Sequence, residues 1–332
     1  MTIQIEAKEI SKSFGKLDVL KNVKLAVSQD EIFGIIGESG SGKTTLLNII
    51  VGFMDSDSGK VLFESKPMSK PIKNIIGFAT QENCVYNKLT VQENLNYFGK
   101  LYSLTDKQIK ENSESILKLV ELYDYKNMLA EHLSGGMQRR LNIACALIHN
   151  PKILILDEPT EDLDPILREE IIMLIKKINS QKTTVIMTSH LLDEAERICD
   201  TIAVLHNGIV IASGSPHELI DTYSKSKEIV IKAKDADFSK VLNIIKSIKE
   251  DKIIQRREEE IVVYTNDSED LFPKVVQKID EAKLDLIKLE LKKPSLYEVF
   301  EFLVKKVQLK QIKQDEKLNE QKIVLPKEEV AK

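Results

Sequence analysis

The chain has 332 residues, of which 42% are hydrophobic and 30% charged, and its formal net charge at pH 7 is −4. This length predicts two domains, or one large domain with an appendix, and either can enclose a buried core. The small negative charge argues against a sequence-independent nucleic-acid binder, which would normally be basic, so we expect no nucleic-acid partner.

Cysteine content and hydropathy restrict the cellular setting. Cys84, Cys145 and Cys199 are far apart and form no CxxC pair, which argues against a disulfide framework or a zinc site and fits a reducing cytosol. The polar N-terminus predicts no signal peptide. No apolar run approaches the roughly 18 to 20 residues that a bilayer span requires, so we expect any membrane role to depend on a partner chain.

The N-terminal two thirds of the chain predict an α/β fold. Residues 3–27 alternate apolar and polar in IQIEA and VKLAV, which predicts an N-terminal subdomain of half-exposed antiparallel strands. The short apolar runs EIFGIIG, KILILDE and TTVIMTSH predict buried strands. Their alternation with helical stretches is typical of a parallel sheet. The segment from about 90 to 135 predicts an inserted helical subdomain, with capping boxes at Thr90–Glu93 and Thr105–Gln108.

A second domain is predicted after a first domain of residues 1–222. Residues 225–305 show the element order β-α-β-β-α-β, which is that of a small ferredoxin-like α+β domain, and a closing helix follows with Pro294 near its start. Residues 306–332 are mixed in charge with few large apolar side chains. We expect them to form a flexible tail, with a marginal helix that docks on a partner as the alternative.

The segment GESGSGKTT lies directly after the strand EIFGII and before the helical run LLNIIVGF. It satisfies G-x-x-x-x-G-K-[ST] and predicts a P-loop NTPase core. Backbone N–H groups would surround phosphate oxygens, Lys43 would reach the β and γ phosphates, and the Thr44 hydroxyl would ligate Mg²⁺. The alternative is a plain glycine turn. The residues predicted to hold ATP here are Gly37, Ser39, Gly40, Ser41, Gly42, Lys43, Thr44 and Thr45.

The stretch LILDEPTEDLDP places five carboxylates within eight residues. Asp157 and Glu158 stand at the carboxyl end of a predicted buried strand, where open α/β sheets bind ligands. We expect Asp157 to hold Mg²⁺, through water, and Glu158 to polarise the attacking water as general base. A surface turn with two solvated acids is the alternative. Asp164 precedes Pro165, which predicts a helix N-cap followed by proline at the first helical position.

A second glycine-containing loop, LSGGMQRR, predicts another anion-binding helix start. With this loop, the order of motifs (phosphate loop, LSGGMQRR, ILILDEP, then a histidine after the next strand) resembles the ATP-binding subunit of an ABC transporter over about residues 3–220. The resemblance implies that two copies, or this chain and a homologous subunit, meet head to tail. Each subunit would close Ser134, Gly135 and Gly136 on the ATP held by the other.

The same resemblance implies roles for three more residues. Gln81 would be the lid glutamine that contacts Mg²⁺ and the attacking water, His190 would contact the γ-phosphate, and Phe14 would stack on adenine. The alternatives are a polar loop residue, a satisfied histidine at a strand end and a core aromatic side chain, respectively.

Four positions depart from the pattern of that family. Glu161 and Asp162 replace the usual Ser-Gly pair, Thr80 replaces a common proline, and Asp30 replaces a common glycine. Aspartate tolerates left-handed backbone better than most residues, so the last change is mild. For Glu161 and Asp162, our hypothesis is that they slow dimer closure by repulsion or pair with a basic group on the partner.

The segments LTVQENLNYFGKLYSL, LSGGMQRRL and LKKPSLYEVFEFL look most like ATPase subunits of drug- or antibiotic-resistance exporters with a separate permease. The resemblance implies a peripheral subunit at the cytoplasmic face of the membrane. One alternative is a soluble ABC-type ATPase that acts on a cytosolic macromolecule. Another is a regulatory subunit that only binds ATP, against which Glu158 and His190 argue.

Overall fold

The structure is a computed structural model that describes residues 2–67, 74–223, 227–233, 238–248, 254–257, 260–265, 268–282, 284–292, 295–301 and 303–304. The chain divides into two compact units, residues 1–216 and 217–332. Within the described ranges, no helix has the length and apolar character needed to cross a bilayer.

An antiparallel sheet opens the first unit, in the order β2-β1-β4-β5. In its second strand, Val23, Leu25 and Val27 are buried while the residues between them are exposed, because successive side chains point to opposite faces. The predicted alternation is therefore confirmed. The strands are β1 (Ile3–Phe14), β2 (Leu17–Ser28), β4 (Ser58–Phe63) and β5 (Lys66–Pro67).

A central sheet of six strands forms the middle of the first unit, in the order β10-β9-β3-β8-β7-β6. All neighbouring strands are parallel except β10, which runs antiparallel to β9. The apolar runs read from the sequence are three of these strands, and they are fully buried. The strands are β3 (Ile32–Ile36), β6 (Ile76–Ala79), β7 (Ile153–Leu156), β8 (Thr184–Ser189), β9 (Thr201–His206) and β10 (Ile209–Gly214).

This strand order brings the sequence motifs to one edge of the sheet. Because β3, β8, β7 and β6 are parallel neighbours, the segments after their carboxyl ends lie next to one another. Those segments hold the phosphate loop, His190, the pair Asp157–Glu158 and Gln81.

Seven helices lie in the described part of the first 223 residues. The first helix packs with both sheets in one apolar core that includes Ile5, Phe33, Leu46 and Leu47. Short 3-10 helices lie at Tyr123–Tyr125 and Ala130–His132. The helices are α1 (Lys43–Ile50), α2 (Val91–Leu101), α3 (Asp106–Leu119), α4 (Gly135–Leu147), α5 (Pro165–Asn179), α6 (Leu192–Ile198) and α7 (Pro216–Tyr223).

Both predicted capping boxes are confirmed. The Thr90 hydroxyl accepts the Glu93 N–H at 3.2 Å, and the Glu93 carboxylate accepts the Thr90 N–H at 2.8 Å. Thr105 and Gln108 repeat the arrangement at the start of α3. Each box satisfies two backbone donors that the helix leaves unpaired, which fixes where α2 and α3 begin.

The second unit contains an antiparallel sheet in the order β12-β13-β11-β14. Apolar residues of its strands and two helices, including Ile231, Val263 and Val275, form one core. The closing helix occupies 296–301 and 303–304; Pro294 and the predicted tail 306–332 lie outside the described residues. The elements are β11 (Lys227–Ala233), α8 (Phe238–Ile248), β12 (Ile254–Arg257), β13 (Glu260–Thr265), α9 (Ser268–Glu281) and β14 (Leu286–Lys292).

Candidate active site

The loop at 37–42 forms a cradle of backbone between β3 and α1. Gly40 and Gly42 have positive φ values of 79° and 106°, a conformation that favours glycine. A Cβ on Gly37 would lie 2.2 Å from the Leu205 carbonyl oxygen, so a larger residue cannot fit. No side chain caps the first turn of α1, which leaves its N–H groups to an anion.

Two further observations fit this cradle to a polyphosphate. The Ser41 hydroxyl is buried and has no hydrogen-bond partner in the described part of the chain. A cavity of about 370 Å³ opens beside the cradle. The cavity is lined by Val19, Ser39, Gly40, Gly42, Lys43, Thr44, Thr45, Gln81, Glu158 and Glu161.

Lys43 places a buried ammonium group in the site. Its ammonium group donates to the carbonyl oxygens of Gly37 at 2.9 Å and Glu38 at 3.1 Å, and it lies 3.0 Å from a Glu158 carboxylate oxygen. The lysine and glutamate side chains are only 6% and 8% exposed. A buried charge requires such a partner, so the pairing explains how both ions are accommodated at the end of the sheet.

Glu158 lies between two nitrogen groups. One carboxylate oxygen faces Lys43, and the other lies 2.8 Å from Nδ1 of His190, whose side chain is 36% exposed. The Glu158 backbone has a left-handed φ of 47°, and its N–H donates to the Thr188 hydroxyl at 2.8 Å. Carboxylate, ammonium and imidazole groups thus meet at the carboxyl ends of three parallel strands.

Thr188 organises this part of the site, although the sequence analysis did not select it. Its hydroxyl donates to the Asp157 carboxylate at 2.5 Å while accepting from Glu158 N–H. The Asp157 N–H donates to the Ala79 carbonyl oxygen at 3.0 Å. The only local signal is a hydroxyl residue at the end of TTVIMTSH, two positions before His190.

Gln81 is held from two directions. Its side-chain Nε2 donates to the Glu161 carboxylate. From the other side, the Arg139 guanidinium donates to the Gln81 carbonyl oxygen at 2.6 Å and to that of Thr80 at 3.2 Å. Burial lowers the pKa of the Arg139 guanidinium, and the carboxylates of Glu161, Asp162 and Asp157 oppose that shift. Arg139 and Glu161 are additions that sequence reasoning did not assign to the site.

The predicted adenine-stacking residue lies outside the cavity lining. Phe14 ends β1, is 48% exposed, and has the Lys12 ammonium 5.7 Å from its ring centroid. Lys12 is itself paired with Asp57 at 2.8 Å. The aromatic face is therefore accessible, but the structure does not bring Phe14 into the cavity beside the phosphate loop.

The second glycine loop also lies outside that cavity. Ser134 is the N-cap of α4 and accepts the Met137 N–H at 3.3 Å, which confirms the predicted helix start. A Cβ on Gly136 would meet Leu167 at 2.8 Å, whereas a Cβ on Gly135 would meet nothing within 4 Å. Packing within the chain thus explains why residue 136 is a glycine, but it gives no reason for a glycine at 135.

The donors expected to hold Mg²⁺ are hard oxygen atoms, which this ion prefers. Thr44 and Gln81 line the same cavity, and Asp157 precedes Glu158 at its wall. Among the described residues, no group of three or more His, Cys, Asp or Glu side chains could hold a metal. This sparse set fits an ion that takes most of its ligands from phosphate and water.

The fold and this site define a P-loop ATPase with a second, outward-facing glycine loop. Comparison with known proteins identifies the family: residues 20–161 match the model described as "ABC transporter". Three relatives are informative. The linearmycin resistance ATP-binding protein LnrL of Bacillus subtilis (strain 168) is 37% identical over 218 residues, 65% of this chain and 70% of the relative.

The other two relatives carry different names. Nod factor export ATP-binding protein I of Rhizobium sp. (strain N33) is 36% identical over 224 residues, covering 67% of this chain and 74% of the relative. The spermidine/putrescine import ATP-binding protein PotA of Clostridium acetobutylicum is 37% identical over 249 residues, which cover 74% of this chain and 69% of the relative. The chain belongs to the family of ABC transporter ATP-binding proteins.

Solved structures show the same fold. CbiO1 from Clostridium perfringens, part of the ABC transporter complex cbiONQ, matches with a TM-score of 0.62 and 28% identity over 67% of this chain and 92% of that one. The ATP-binding cassette MJ0796, in a dimeric post-hydrolysis state with ADP and Pi, matches with a TM-score of 0.57 and 30% identity. The match covers 64% of this chain and 98% of that one. The chain is therefore an ATPase and the ATP-binding subunit of a transporter.

Proposed function

We propose that Glu158 is the general base for ATP hydrolysis in this chain. The observation that carries the proposal is its buried carboxylate, held between Lys43 and His190 beside the phosphate cradle. Lys43 exchanges its pairing with Glu158 for the β and γ phosphates, which leaves the carboxylate to accept a proton from water. His190 then lies next to the γ-phosphate, and the exposed face of Phe14 stacks on adenine.

The N–H groups and side chains at 37–45 hold the phosphates in this proposal, with Gly37, Ser39, Gly40, Ser41, Gly42, Thr44 and Thr45 beside Lys43. Thr44, Gln81 and Asp157 hold Mg²⁺. When bound, the ion supplies neutralising charge to the phosphate oxygens. The Thr188 hydroxyl fixes the Asp157 carboxylate, which supports a role for this acid toward the ion, since outer-shell hydrogen bonds orient metal ligands.

The chain dimerises head to tail with a second copy or a homologous subunit. Ser134, Gly135 and Gly136 then contact the ATP of the partner. The geometry of Gly135 supports this assignment: neither a left-handed backbone nor a neighbour within 4 Å requires a glycine there. Close approach of a phosphate from outside the chain gives a physical reason for its missing side chain.

A separate membrane permease is the proposed partner of this ATPase. Tyr86, Tyr97, Phe98 and Leu101 form an aromatic surface on and beside α2. The Tyr86 and Tyr97 rings lie 4.6 Å apart, and these two residues and Leu101 are 46%, 41% and 63% exposed. Exposed apolar groups that cluster in this way mark interaction sites. The chain would accordingly sit at the cytoplasmic face of the membrane, as a peripheral subunit.

Export is the proposed direction of transport, and it rests on likeness to the linearmycin resistance and Nod factor export proteins. The PotA relative, by contrast, is named for import.

The second unit is proposed to be ferredoxin-like. Its strand order β12-β13-β11-β14, with one helix between β11 and β12 and another between β13 and β14, is that of a split βαβ arrangement.

Purification from native membranes tests the permease assignment. The tagged chain, extracted in mild detergent, should retain a multi-spanning protein. Tyr97→Ser combined with Leu101→Ser should lose that protein while still binding ATP, because only the aromatic surface changes. Met173→Ser, at a 58% exposed apolar position on α5, is the matched control and should retain it. Recovery of a cytosolic macromolecule instead would favour the soluble-ATPase alternative.

A further inference from the structure

The two acids that replace the usual Ser-Gly pair have different surroundings. Asp162 is exposed, whereas Glu161 is partly buried and lines the cavity beside the phosphate loop. Glu161 accepts a hydrogen bond from Gln81 Nε2. The partner of this carboxylate is therefore found within the same chain, where the sequence hypothesis expected repulsion or a partner's basic group.

The backbone that carries Glu161 is anchored on several sides. Its own N–H donates to the Glu158 carbonyl oxygen at 3.2 Å. The preceding Thr160 hydroxyl donates to the buried Glu194 carboxylate at 2.6 Å, and Arg168 donates to the Leu163 carbonyl oxygen at 3.1 Å. These bonds limit the directions in which the Glu161 side chain can leave the loop.

The backbone that carries Gln81 is anchored as well. Arg139 binds the carbonyl oxygens of Thr80 and Gln81, and Asn142 Nδ2 donates to Thr80 at 3.2 Å. Both donors come from α4, the helix that follows the second glycine loop. The contact between Gln81 and Glu161 therefore joins two loops whose backbones are already fixed, rather than two free side chains.

The chemistry of the pair gives the contact a direction. A carboxylate accepts hydrogen bonds but does not donate them, whereas a glutamine amide has a donor end and an acceptor end. Only the NH₂ end of Gln81 can therefore face Glu161, and the carbonyl oxygen Oε1 must face away. A serine hydroxyl, which both donates and accepts, would bind either end and leave the amide free to turn over.

We propose that Glu161 is a positioning residue that orients the amide of Gln81 for its role at the reacting end of ATP. With Nε2 held by Glu161, Oε1 becomes the atom presented to Mg²⁺ and water. Carboxylates that orient metal ligands from behind act in the same way. This inference rests on the proposed role of Gln81, and the buried Arg139 guanidinium offsets the extra negative charge beside the phosphates.

The first test is spectroscopic and requires no hydrolysis. In ¹⁵N-labelled protein without nucleotide or Mg²⁺, the side-chain NH₂ signals of Gln81, assigned with a Gln81→Ala variant, should lie downfield because of the bond to a carboxylate. Glu161→Gln should move them upfield, since the charged acceptor is lost. Asp162→Asn, which removes the same charge one residue away, is the matched control and should leave them in place. Unchanged signals in Glu161→Gln would overturn the proposal.

The second test is a double-mutant cycle on kcat. Glu161→Gln should lower kcat about tenfold and change the Kd for a fluorescent ATP analogue by less than about twofold. In a Gln81→Ala background, the same substitution should have no further effect. An equal loss in both backgrounds would show that Glu161 acts without Gln81 and would refute the inference. Failure of the proposed function would show separately, as wild-type hydrolysis by Glu158→Gln.

Discussion

At the scale of single residues, Glu158 combines backbone strain with side-chain contacts to two nitrogen groups. Its φ of 47° lies in the left-handed region, which costs a residue with a side chain roughly 1–2 kcal/mol. Glycine would avoid this cost but has no carboxylate. The contacts to Lys43, His190 and Thr188 hold the residue there, as is typical where strain serves a function.

Thr188→Val tests whether the threonine hydroxyl organises the two acids. The change keeps the shape of the side chain but leaves Asp157 and the Glu158 N–H without a buried partner. The free energy of unfolding in urea should fall by about 1–3 kcal/mol. We also expect kcat to fall at least about tenfold, because both acids lose their orientation.

Thr184→Val is the matched control for this prediction. Thr184 lies on the same strand, is equally buried, and its hydroxyl bonds to Gln4 and the Asp30 N–H at the opposite end of β8. The Thr184→Val variant should lose about as much stability as Thr188→Val but keep its kcat within about twofold of wild type, since distant sites act independently. Equal loss of kcat in both variants would show that Thr188 acts only through stability.

Local motifs explain which site residues the sequence could predict. Lys43, Asp157 and Glu158 belong to short patterns whose neighbours in the chain set their geometry. Arg139 and Glu161 were not assigned because their contacts with Gln81 join residues 58 and 80 positions apart. Such contacts depend on how β6 and β7 are paired in space, which no local pattern states.

At the scale of secondary structure elements, the end of α4 is coupled to α2 by an aromatic stack. The imidazole of His149 lies parallel to the Tyr102 ring, with centroids 3.6 Å apart, and its Nε2 lies 3.2 Å from the Ile76 carbonyl oxygen. The buried Nδ1 has no partner in the described part of the protein. Burial accordingly lowers the pKa of His149 to about 4.

This burial predicts a pH dependence of stability. Between the unfolded pKa of about 6.5 and the folded value of about 4, the unfolded chain binds the additional proton. The stabilisation gained by keeping His149 neutral in the folded chain is therefore fully present above about pH 6.5. It is lost as the pH falls towards 4, which lowers the free energy of unfolding by roughly 2–3 kcal/mol. Urea denaturation at a series of pH values measures it.

His149→Gln isolates this contribution from those of other groups. The amide can still donate to Ile76 but does not titrate, so the variant should show a smaller fall in unfolding free energy over that pH range. The difference between the two pH profiles is the quantity to compare. Parallel profiles for wild type and variant would contradict the burial argument.

Elements differ in how far the sequence predicts them. The two capping boxes and the proline after Asp164 fix the starts of α2, α3 and α5 locally, and all three were predicted. The buried strands were also recognised by their apolar runs. Their order in the sheet was not, because parallel pairing of strands such as β3 and β8 depends on contacts more than 140 residues apart.

At the scale of the whole molecule, the proposed ATP site has two parts that do not meet within one chain. The cradle, Lys43 and Glu158 line one cavity, while Gly135 lies outside it with no neighbour within 4 Å of its missing side chain. A second subunit, arranged head to tail, would bring the two parts together. Hydrolysis would then reopen the pair and drive the transporter to which the chain belongs.

The proposed dimer and the role of Glu158 are tested most directly by the mass of the Glu158→Gln protein in solution with ATP and Mg²⁺. The variant should bind ATP, hydrolyse it at least about a hundredfold more slowly, and sediment at twice the mass of one chain, because the closed dimer cannot reopen. Glu114→Gln, on the exposed face of α3, should behave as wild type. A Glu158→Gln protein that stays monomeric at saturating ATP, or that hydrolyses ATP at the wild-type rate, would contradict the proposed mechanism.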